Sequence, residues 1–446
     1  MNPVLSDILP PLDDMKKRID GADITRVNGR VEQVVGLVIE STGPSASVGE
    51  ACWITAADGK SQPVLAEVVG FRQHRVLLMP LGEMRGLGPG SEVVKTGQPF
   101  KIPVGESLLG RVIDAMGKPL DGKGPLGPCQ ESYPIHQEPP SAMERRRIAM
   151  PVATGIRAID ALLTLGEGQR LGIFSGSGVG KSTLLGMIAR NTEADINVIA
   201  LVGERGREVR DFLERDLGEK GLAHSVVVVA TSDQPSLIRI QAALVATAVA
   251  EYFRDRGKRV MLMMDSVTRF AMAQREVGLA IGEPPTTKGY TPSVFALLPK
   301  LLERAGTTAH QGSITGLYTI LVEADDMNEP VADTCRAILD GHVVLSRELA
   351  AQNQYPAIDV LNSVSRVMRD IVSPEQMDAS GKIRSILATY KSVEDLISIG
   401  AYVKGSNPKV DEALKRLDAV LVFLKQSREE TAPWKETQAK LKSFLS

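Results

Sequence analysis

The chain has 446 residues, which is enough for two or three domains that each bury a hydrophobic core. Hydrophobic residues make up 43% of the sequence, charged residues make up 24%, and the formal net charge is −2. This composition is ordinary for a globular protein, and it gives no overall field of the kind that marks a nucleic-acid-binding or membrane-surface protein.

The cysteines and the hydropathy pattern indicate a cytoplasmic protein. Cys52, Cys129 and Cys335 are widely spaced and lack metal-ligand spacing, so we expect small buried residues in a reducing compartment. No apolar run approaches the ~20 residues that span a bilayer. The N-terminus lacks a basic region followed by an apolar core, so we expect no signal peptide.

Residues 1–20 are predicted to form a separate amphipathic segment. Apolar residues recur there at steps of mostly three and four, at Val4, Leu5, Ile8, Leu9, Leu12, Met15 and Ile19. Pro10 and Pro11 interrupt this pattern, which favours a kinked helix or two short pieces over one rod. Because so short a helix is marginal in water, we expect its apolar face to dock on the chain's own β-rich region or on a partner.

Residues 21–95 are predicted to form a small β-barrel or sandwich. Short β-branched runs lie at 29–40, 51–56, 63–71 and 75–80, with turn residues between them. The next segment, 96–150, is irregular and rich in glycine and proline, so we predict a linker that wraps onto the domain after it.

The rest of the chain is predicted to contain a central α/β domain and a C-terminal α-helical domain. Apolar strands alternate with helical patterns from residue 151 to 373, at 171–174, 196–202, 226–230, 260–264, 314–322 and 342–345. This alternation predicts a doubly wound, mainly parallel sheet. We assign 96–373 to this central domain, linker included. Residues 374–446 show only helical periodicity and form the last predicted domain.

The strongest motif lies between the strand at 171–174 and the helix that follows. It fits the phosphate-binding pattern G-x-x-x-x-G-K-S/T, except that Ser175 replaces the first glycine. Glycines let successive backbone N–H groups turn inward, and the helix N-terminus adds partial positive charge. The predicted nucleotide-binding residues are Ser175, Gly176, Ser177, Gly178, Val179, Gly180, Lys181, Ser182 and Thr183. An ordinary glycine-rich turn is the alternative, but the flanking strand and apolar helix favour phosphate binding.

Charged and hydroxyl side chains in this loop and at the ends of two later strands are of the types that catalyse phosphoryl transfer. Lys181 would reach the β- and γ-phosphates, and the Ser182 hydroxyl would bind Mg²⁺. The strand 260–264 ends at Asp265, a carboxylate that would hold the Mg²⁺ shell, usually through water. Gly203-Glu-Arg-Gly-Arg-Glu208 follows another strand, where a glutamate can polarise water and an arginine can offset phosphate charge. From local sequence alone, a charged surface loop is an equal alternative for this last segment.

Five segments together closely resemble the ATPases of type III protein export. They are residues 203–208, 264–276, 282–285, 338–342 and 355–359. That family includes the flagellar export ATPase and its relatives in virulence secretion systems, and it is similar to the catalytic subunits of rotary ATP synthases. The resemblance runs from about residue 25 to 446 and is most specific between 151 and 373. It implies a multidomain chain with an N-terminal β-barrel, a central RecA-like P-loop ATPase domain and a C-terminal helical domain.

The resemblance also implies roles for individual residues. Glu204 matches the catalytic glutamate that activates water, and Arg205 matches an arginine near the γ-phosphate. Arg269 lies where relatives keep a further active-site arginine. Arg366 falls in the arginine-finger segment, so it would act at the nucleotide of the neighbouring subunit. Tyr355 falls where relatives place an aromatic ring against adenine, whereas a core tyrosine is the simpler interpretation without the resemblance.

The favoured hypothesis is therefore a ring-forming ATPase that uses ATP and Mg²⁺ to energise or prime protein export. Flagellar export is favoured modestly over virulence secretion, partly from residues 271–276. A rotary ATP synthase catalytic subunit is a further alternative, but only residues 374–446 are left for its longer helical domain. A non-catalytic ring subunit would lack Glu204. A hexameric RNA translocase would need interleaved aromatic and basic residues in the barrel, where Trp53 and Phe71 are the only aromatics.

Partners and location are likewise implied by the resemblance. We expect a homo-hexamer, a coiled-coil central stalk protein that meets the loop 282–290, and a stator-like negative regulator on residues 1–20. An ordinary surface loop is the alternative for 282–290. We also expect contacts with an export gate and with chaperone–substrate complexes, no nucleic acid, and a cytoplasmic protein peripherally associated with the inner-membrane export apparatus.

Overall fold

A computed structural model describes residues 28–57, 61–129, 131–322 and 326–445. The chain divides into two compact units, Met1–Pro99 and Phe100–Ser446. The amphipathic helix predicted for residues 1–20 lies outside the described residues.

The described part of the first unit is a closed six-stranded barrel, as predicted. Its strands are paired in the order β1-β2-β5-β4-β3-β6. They are β1 (Gly29–Val35), β2 (Val38–Thr42), β3 (Glu50–Thr55), β4 (Val64–Arg72), β5 (Arg75–Pro80) and β6 (Glu92–Pro99). The predicted run 29–40 divides into β1 and β2 because Gly36, at φ +59°, forms a tight hairpin turn. Alternate residues such as Ile39, Cys52 and Leu78 fill the barrel core.

The second unit is built on a nine-stranded, mainly parallel sheet. Its order is β19-β18-β12-β17-β15-β13-β14-β8, with β16 beside β17. The strands of this unit are β7 (Lys101–Val104), β8 (Arg111–Asp114), β9 (Glu131–Pro134), β10 (Pro151–Val152), β11 (Leu165–Gly166), β12 (Arg170–Ser175), β13 (Ile196–Glu204), β14 (Ser225–Thr231), β15 (Arg259–Asp265), β16 (Gly306–Thr307), β17 (Ser313–Leu321), β18 (Gly341–Leu345) and β19 (Ile358–Ser365). Among the described strands of this sheet, only β19 and β16 pair antiparallel with their neighbours.

The central strands form because their residues are apolar on both faces. Almost every residue of β13, β14 and β15 is buried, which is typical of parallel strands covered on both sides. The sheet extends beyond the six strands predicted from the sequence. At one edge, β8 comes from the irregular segment 96–150, where Val112 and Ile113 are buried. At the other edge, β19 pairs with β18.

The helices of the second unit follow the strands in the expected alternation. They are α1 (Arg157–Leu162), α2 (Lys181–Asn191), α3 (Gly206–Asp211), α4 (Gly218–Ala223), α5 (Ser236–Asp255), α6 (Val267–Ile281), α7 (Pro292–Glu303), α8 (Pro330–Ile338), α9 (Arg347–Ala351), α10 (Met368–Ile371), α11 (Pro374–Ser398), α12 (Pro408–Leu424) and α13 (Trp434–Lys442). Residues Phe212–Leu217 form a π-helical turn between α3 and α4.

The C-terminal helices begin at strong start signals and pack on the same core as the sheet. Ser373 caps α11 through a hydrogen bond from the Gln376 backbone, and Asn407 caps α12 in the same way from Lys409. A proline follows each cap at the first helical position, where its missing N–H costs nothing. Apolar residues of α11, α12 and α13 join one hydrophobic cluster with residues of β12 and β13.

Helix α5 is long and apolar enough to cross a membrane by length and composition, with a mean hydropathy of 1.2. However, 94% of that stretch is buried inside the protein. It also contains Arg239, Glu251 and Arg254. The buried core helix of a globular protein can have the same length and composition, so α5 is weak evidence for a membrane span.

Candidate active site

The phosphate loop connects β12, in the middle of the sheet, to α2. Its first residue, Ser175, is the buried end of β12, and α2 begins at Lys181. Gly178 and Gly180 have φ values of +81° and +92°, a left-handed conformation that other residues rarely adopt. A turn of this kind, followed by a helix N-terminus, presents backbone N–H groups to an anion.

A cavity of about 750 Å³ lies over this loop. All the predicted loop residues except Val179 line it, together with Glu204, Arg205 and Arg269. Glu204 ends β13 and Arg269 lies in the first turn of α6, after β15. The cavity therefore lies at the carboxyl ends of the parallel strands, where open α/β sheets bind ligands.

Lys181, Glu204 and Asp265 form a compact charged cluster beside the loop. The Lys181 ammonium group contacts Asp265 Oδ1 and lies 3.6 Å from Glu204 Oε1. Thr319 on β17 donates its hydroxyl to Asp265 Oδ1 at 2.8 Å and so fixes that carboxylate. The three charged side chains are only 3–15% exposed, so their interactions are weakly screened by water.

The surroundings shift the pKa values of two groups in this cluster. Burial lowers the pKa of Lys181, but the attraction of Asp265 and Glu204 outweighs burial and raises the pKa overall. Lys181 is thus a permanent cation. Burial raises the pKa of Glu204 to about 7, and the negative charge of Asp265 adds to this effect against the attraction of Lys181. A carboxylate with a pKa near neutrality is suited to accept a proton at physiological pH.

Two predicted arginines line the cavity in different environments. Arg205 is 79% exposed and lies 3.5 Å from Glu208 at the start of α3. Arg269 packs against Gly203, where an added Cβ would lie 2.9 Å from Arg269 Cβ. Its Nε is buried without a hydrogen-bond partner, and so is the Ser175 hydroxyl. Orphaned donors around a cavity fit an anionic ligand, because a buried unpaired donor is costly.

Tyr355 lies beside the phosphate loop at a second, smaller cavity. This cavity of about 270 Å³ is lined by Val179, Gly180 and Tyr355, and by residues 426–428 after α12. The Tyr355 ring lies 3.7 Å from the position of a Cβ added at Gly180. Tyr355 is 43% exposed, and its backbone carbonyl accepts a hydrogen bond from the Gln426 N–H. A half-exposed ring beside a phosphate loop is suited to stack on a nucleobase.

Arg366 lies away from this cavity, on the segment that follows β19. Its side chain is exposed and donates to the Arg336 carbonyl at 3.1 Å. Its backbone N–H donates to the Asp340 carbonyl. Among the described residues, Arg366 is the one predicted catalytic residue that does not line the cavity.

The sequence analysis missed three residues that the structure brings to the site. Thr319 holds Asp265, Arg347 lies against Gly176, and Gln426 from the C-terminal domain contacts Tyr355. Arg347 follows β18 after one intervening residue, so the rule that strand ends meet over the phosphate site could have found it. Thr319 and Gln426 carry no local signal, because their roles depend on strand register and on interdomain packing.

Three family models match consecutive parts of the chain. The model of the ATP synthase alpha/beta family, beta-barrel domain, matches residues 31–97, and the nucleotide-binding domain of the same family matches 155–365. The model of the T3SS EscN ATPase C-terminal domain matches residues 372–443.

Curated relatives and a solved structure cover nearly the whole chain. The flagellum-specific ATP synthase of Bacillus subtilis is 57% identical over 427 residues, 96% of this chain and 97% of the relative. The type 3 secretion system ATPase of Xanthomonas euvesicatoria is 53% identical over 414 residues, 93% of each chain. The assembled ATPase EscN in complex with its central stalk EscO, from enteropathogenic E. coli, superposes with a TM-score of 0.86 at 45% identity, covering 94% of this chain and 100% of that one.

Proposed function

We propose that this chain, which belongs to the family of flagellum-specific ATP synthases and type 3 secretion system ATPases, hydrolyses ATP in the cavity above the phosphate loop. The observation that carries this proposal is the buried cluster of Lys181, Glu204 and Asp265 next to a glycine loop at the centre of the sheet. This cluster combines a phosphate-binding cation, a base and a metal-binding carboxylate within one site.

In this proposal the residues divide the chemistry among themselves. The loop N–H groups and Lys181 bind the phosphates, and Glu204 accepts a proton from the attacking water. Arg205 and Arg269 offset the charge that develops on the terminal phosphate. The orphaned Arg269 Nε supports this role, because a phosphate oxygen would satisfy it. Tyr355 stacks on the adenine ring in the smaller cavity.

The residues of the site fit Mg²⁺, the cation that phosphoryl transfer by this family uses. Ser182 and Asp265 supply a hydroxyl and a carboxylate, the hard oxygen ligands that Mg²⁺ prefers. Among the described residues no group of three His, Cys, Asp or Glu side chains could hold a metal. The ion would therefore depend on nucleotide oxygens and water for its other ligands. When bound, Mg²⁺ neutralises charge on the β- and γ-phosphates.

Phosphate release from ATP by the full-length protein tests this proposal directly. We expect turnover with Mg²⁺ present and its loss when a chelator is added, with activity restored by excess Mg²⁺. Binding of ATP without phosphate release under any of these conditions, and at every protein concentration, would instead identify a nucleotide-binding ring subunit.

We extend the proposal to a ring assembly that drives protein export. The EscN relative is described as assembled and in complex with a central stalk, and its 45% identity over 94% of this chain supports the same two properties here. We propose a homo-hexamer in which Arg366 reaches the nucleotide of the neighbouring subunit. Its exposed position outside its own cavity supports this arrangement. Flagellar export is favoured over virulence secretion, and the identity of the neighbouring genes would decide between them.

The loop 282–290 is the proposed contact with a coiled-coil stalk. Lys288 lies in this loop, half exposed, with its ammonium group 3.3 Å from Asp326. Exposed pairs of this kind contribute little to stability, so changing them should not unfold the protein. We expect Lys288→Glu to reduce stimulation by the stalk protein while basal ATPase activity stays unchanged.

Asp326→Asn provides the matched control, because it removes the same ion pair but keeps the lysine charge. It should retain stimulation. Stimulation and basal activity are compared in one phosphate-release assay, with and without the stalk. Equal losses of both activities in Lys288→Glu would contradict a stalk-specific role.

Residues 1–20 are proposed to bind a stator-like negative regulator. Their apolar residues carry the helical pattern, and Asp7, Asp13 and Asp14 disfavour insertion among anionic lipids. The same complex would bring a cytoplasmic enzyme to the inner-membrane export gate and to chaperone–substrate complexes. Deletion of residues 2–20 should leave basal ATPase activity and thermal stability nearly unchanged but remove binding to the regulator in a titration. A large fall in the melting temperature of the isolated protein would show that the segment packs on the chain itself.

A further inference from the structure

Arg347 lies on the side of the phosphate loop opposite the charged cluster. It is the first residue of α9 and follows β18 after the capping residue Ser346. In the sheet, β18 borders β12 on one side, whereas the strands that carry Glu204 and Asp265 lie on the other. A cation at this position flanks the loop from the side opposite to Glu204 and Asp265.

The Arg347 guanidinium group packs directly against the loop at Gly176. A Cβ added to Gly176 would lie 2.5 Å from both Nε and Nη2 of Arg347 and 2.9 Å from its Cζ. Glycine is therefore needed here for close approach, not for an unusual φ angle. Because the planar guanidinium group fills the space of a missing side chain, the two positions form one packed unit.

The position of the Arg347–Gly176 pair along the loop indicates which part of a nucleotide Arg347 would contact. Arg347 lines the phosphate cavity, as Glu204 and Arg269 do, but it is not among the described residues that line the cavity beside Tyr355. The Tyr355 ring lies at Gly180, the other end of the loop. Arg347 is thus at the end of the loop remote from Tyr355, where the terminal phosphate of a nucleotide stacked on that ring would lie.

We propose that Arg347 is a specificity-determining residue that makes this site prefer a nucleoside triphosphate to a diphosphate. This inference rests on the proposed function. Its guanidinium group holds the loop at Gly176 and places positive charge at the terminal-phosphate end of the cavity. On the other side of the loop, Lys181 contacts Asp265 and Arg205 lies near Glu208. Arg347 adds positive charge from the opposite wall of the cavity, and this charge favours binding of the additional phosphate that ATP has and ADP lacks.

The test measures the affinities of the full-length protein for ADP and for a non-hydrolysable ATP analogue, both with Mg²⁺. We expect Arg347→Gln to weaken analogue binding about 10–100-fold, the range for loss of a charge-assisted hydrogen bond, and ADP binding by less than about threefold. Arg347→Lys keeps the charge without the planar fork, so its preference for the analogue should lie between those of Arg347→Gln and the wild type. Free guanidinium ion at millimolar concentration should restore part of the lost preference to Arg347→Gln.

Arg85→Ala is the control for loss of an arginine, because Arg85 lies on the barrel and is 91% exposed. It should leave both affinities unchanged. An unchanged preference of Arg347→Gln for the analogue over ADP would overturn the inference, and so would an equal weakening of ADP and analogue binding in both Arg347 variants. In either case, ATP hydrolysis by the wild type would still support the proposed function. If Arg347→Gln is unstable, the ratio of analogue affinity to ADP affinity in the Arg347→Lys variant decides instead. Absence of ATP binding in the wild type would overturn the proposed function itself.

Discussion

Glu204→Gln is expected to reduce ATP turnover by about 10²–10⁴-fold, the usual contribution of a general base, while nucleotide affinity stays close to that of the wild type. Glutamine keeps the size and hydrogen-bonding capacity of the side chain but cannot accept the proton of the attacking water. Binding depends mainly on the loop and on Lys181, which the substitution leaves in place. Phosphate release and nucleotide titration on the same preparation separate the two effects.

Lys181→Ala is the matched comparison, because it removes the cation from the same cluster. It should weaken nucleotide binding and abolish turnover together, since Lys181 serves both the bound state and the transition state. It also leaves Asp265 and Glu204 as neighbouring buried carboxylates without their counter-charge. Wild-type turnover in Glu204→Gln would show that another group acts as the base.

The same assignment predicts the pH dependence of the wild type. Burial and then the charge of Asp265 raise the pKa of Glu204 to about 7. A base must be unprotonated to act, so kcat/KM should rise as the pH increases through about 7 and level off above it. This acid limb should be absent from the residual activity of Glu204→Gln.

The parts of the site that the sequence predicts are those whose signal lies in a short local stretch of residues. The phosphate loop is one run of residues between a strand and a helix, so its position at the end of a sheet strand could be inferred. Glu204 and Asp265 are far apart in the chain, but each ends a buried strand. The rule that parallel strands direct their carboxyl ends to one edge predicts that they meet, and the structure places both beside Lys181.

The parts that could not be predicted depend on register and on packing between distant segments. Thr319 reaches Asp265 only because β17 is the neighbour of β15 in a register that no local pattern reveals. Gln426 meets Tyr355 because the segment after α12 returns to the phosphate loop. In the fold, β8 arises from a glycine-rich segment whose short apolar core, Val112 and Ile113, is too brief to show a period.

Arg366→Ala is expected to reduce turnover by about 10³–10⁵-fold, the range for loss of an arginine finger in other phosphoryl-transfer enzymes. The side chain is exposed, is hydrogen-bonded to Arg336 and lies outside its own cavity, so the loss should arise at the interface with a neighbouring subunit. Arg369→Ala is the matched control, since Arg369 is an exposed arginine on the short helix α10 close by in the chain. It should keep wild-type activity.

The distinctive test of a finger supplied by a neighbour is complementation between two inactive variants. In a mixed ring, an Arg366→Ala subunit offers an intact phosphate loop, and a Lys181→Ala subunit offers an intact finger. Where these two meet in the right order, a complete site forms, so mixing the inactive proteins should restore part of the activity. Specific activity of the wild type should also rise steeply with protein concentration, because assembly precedes catalysis. Constant activity per chain on dilution to a proven monomer would show that each subunit completes its own site, and mixing would then restore nothing.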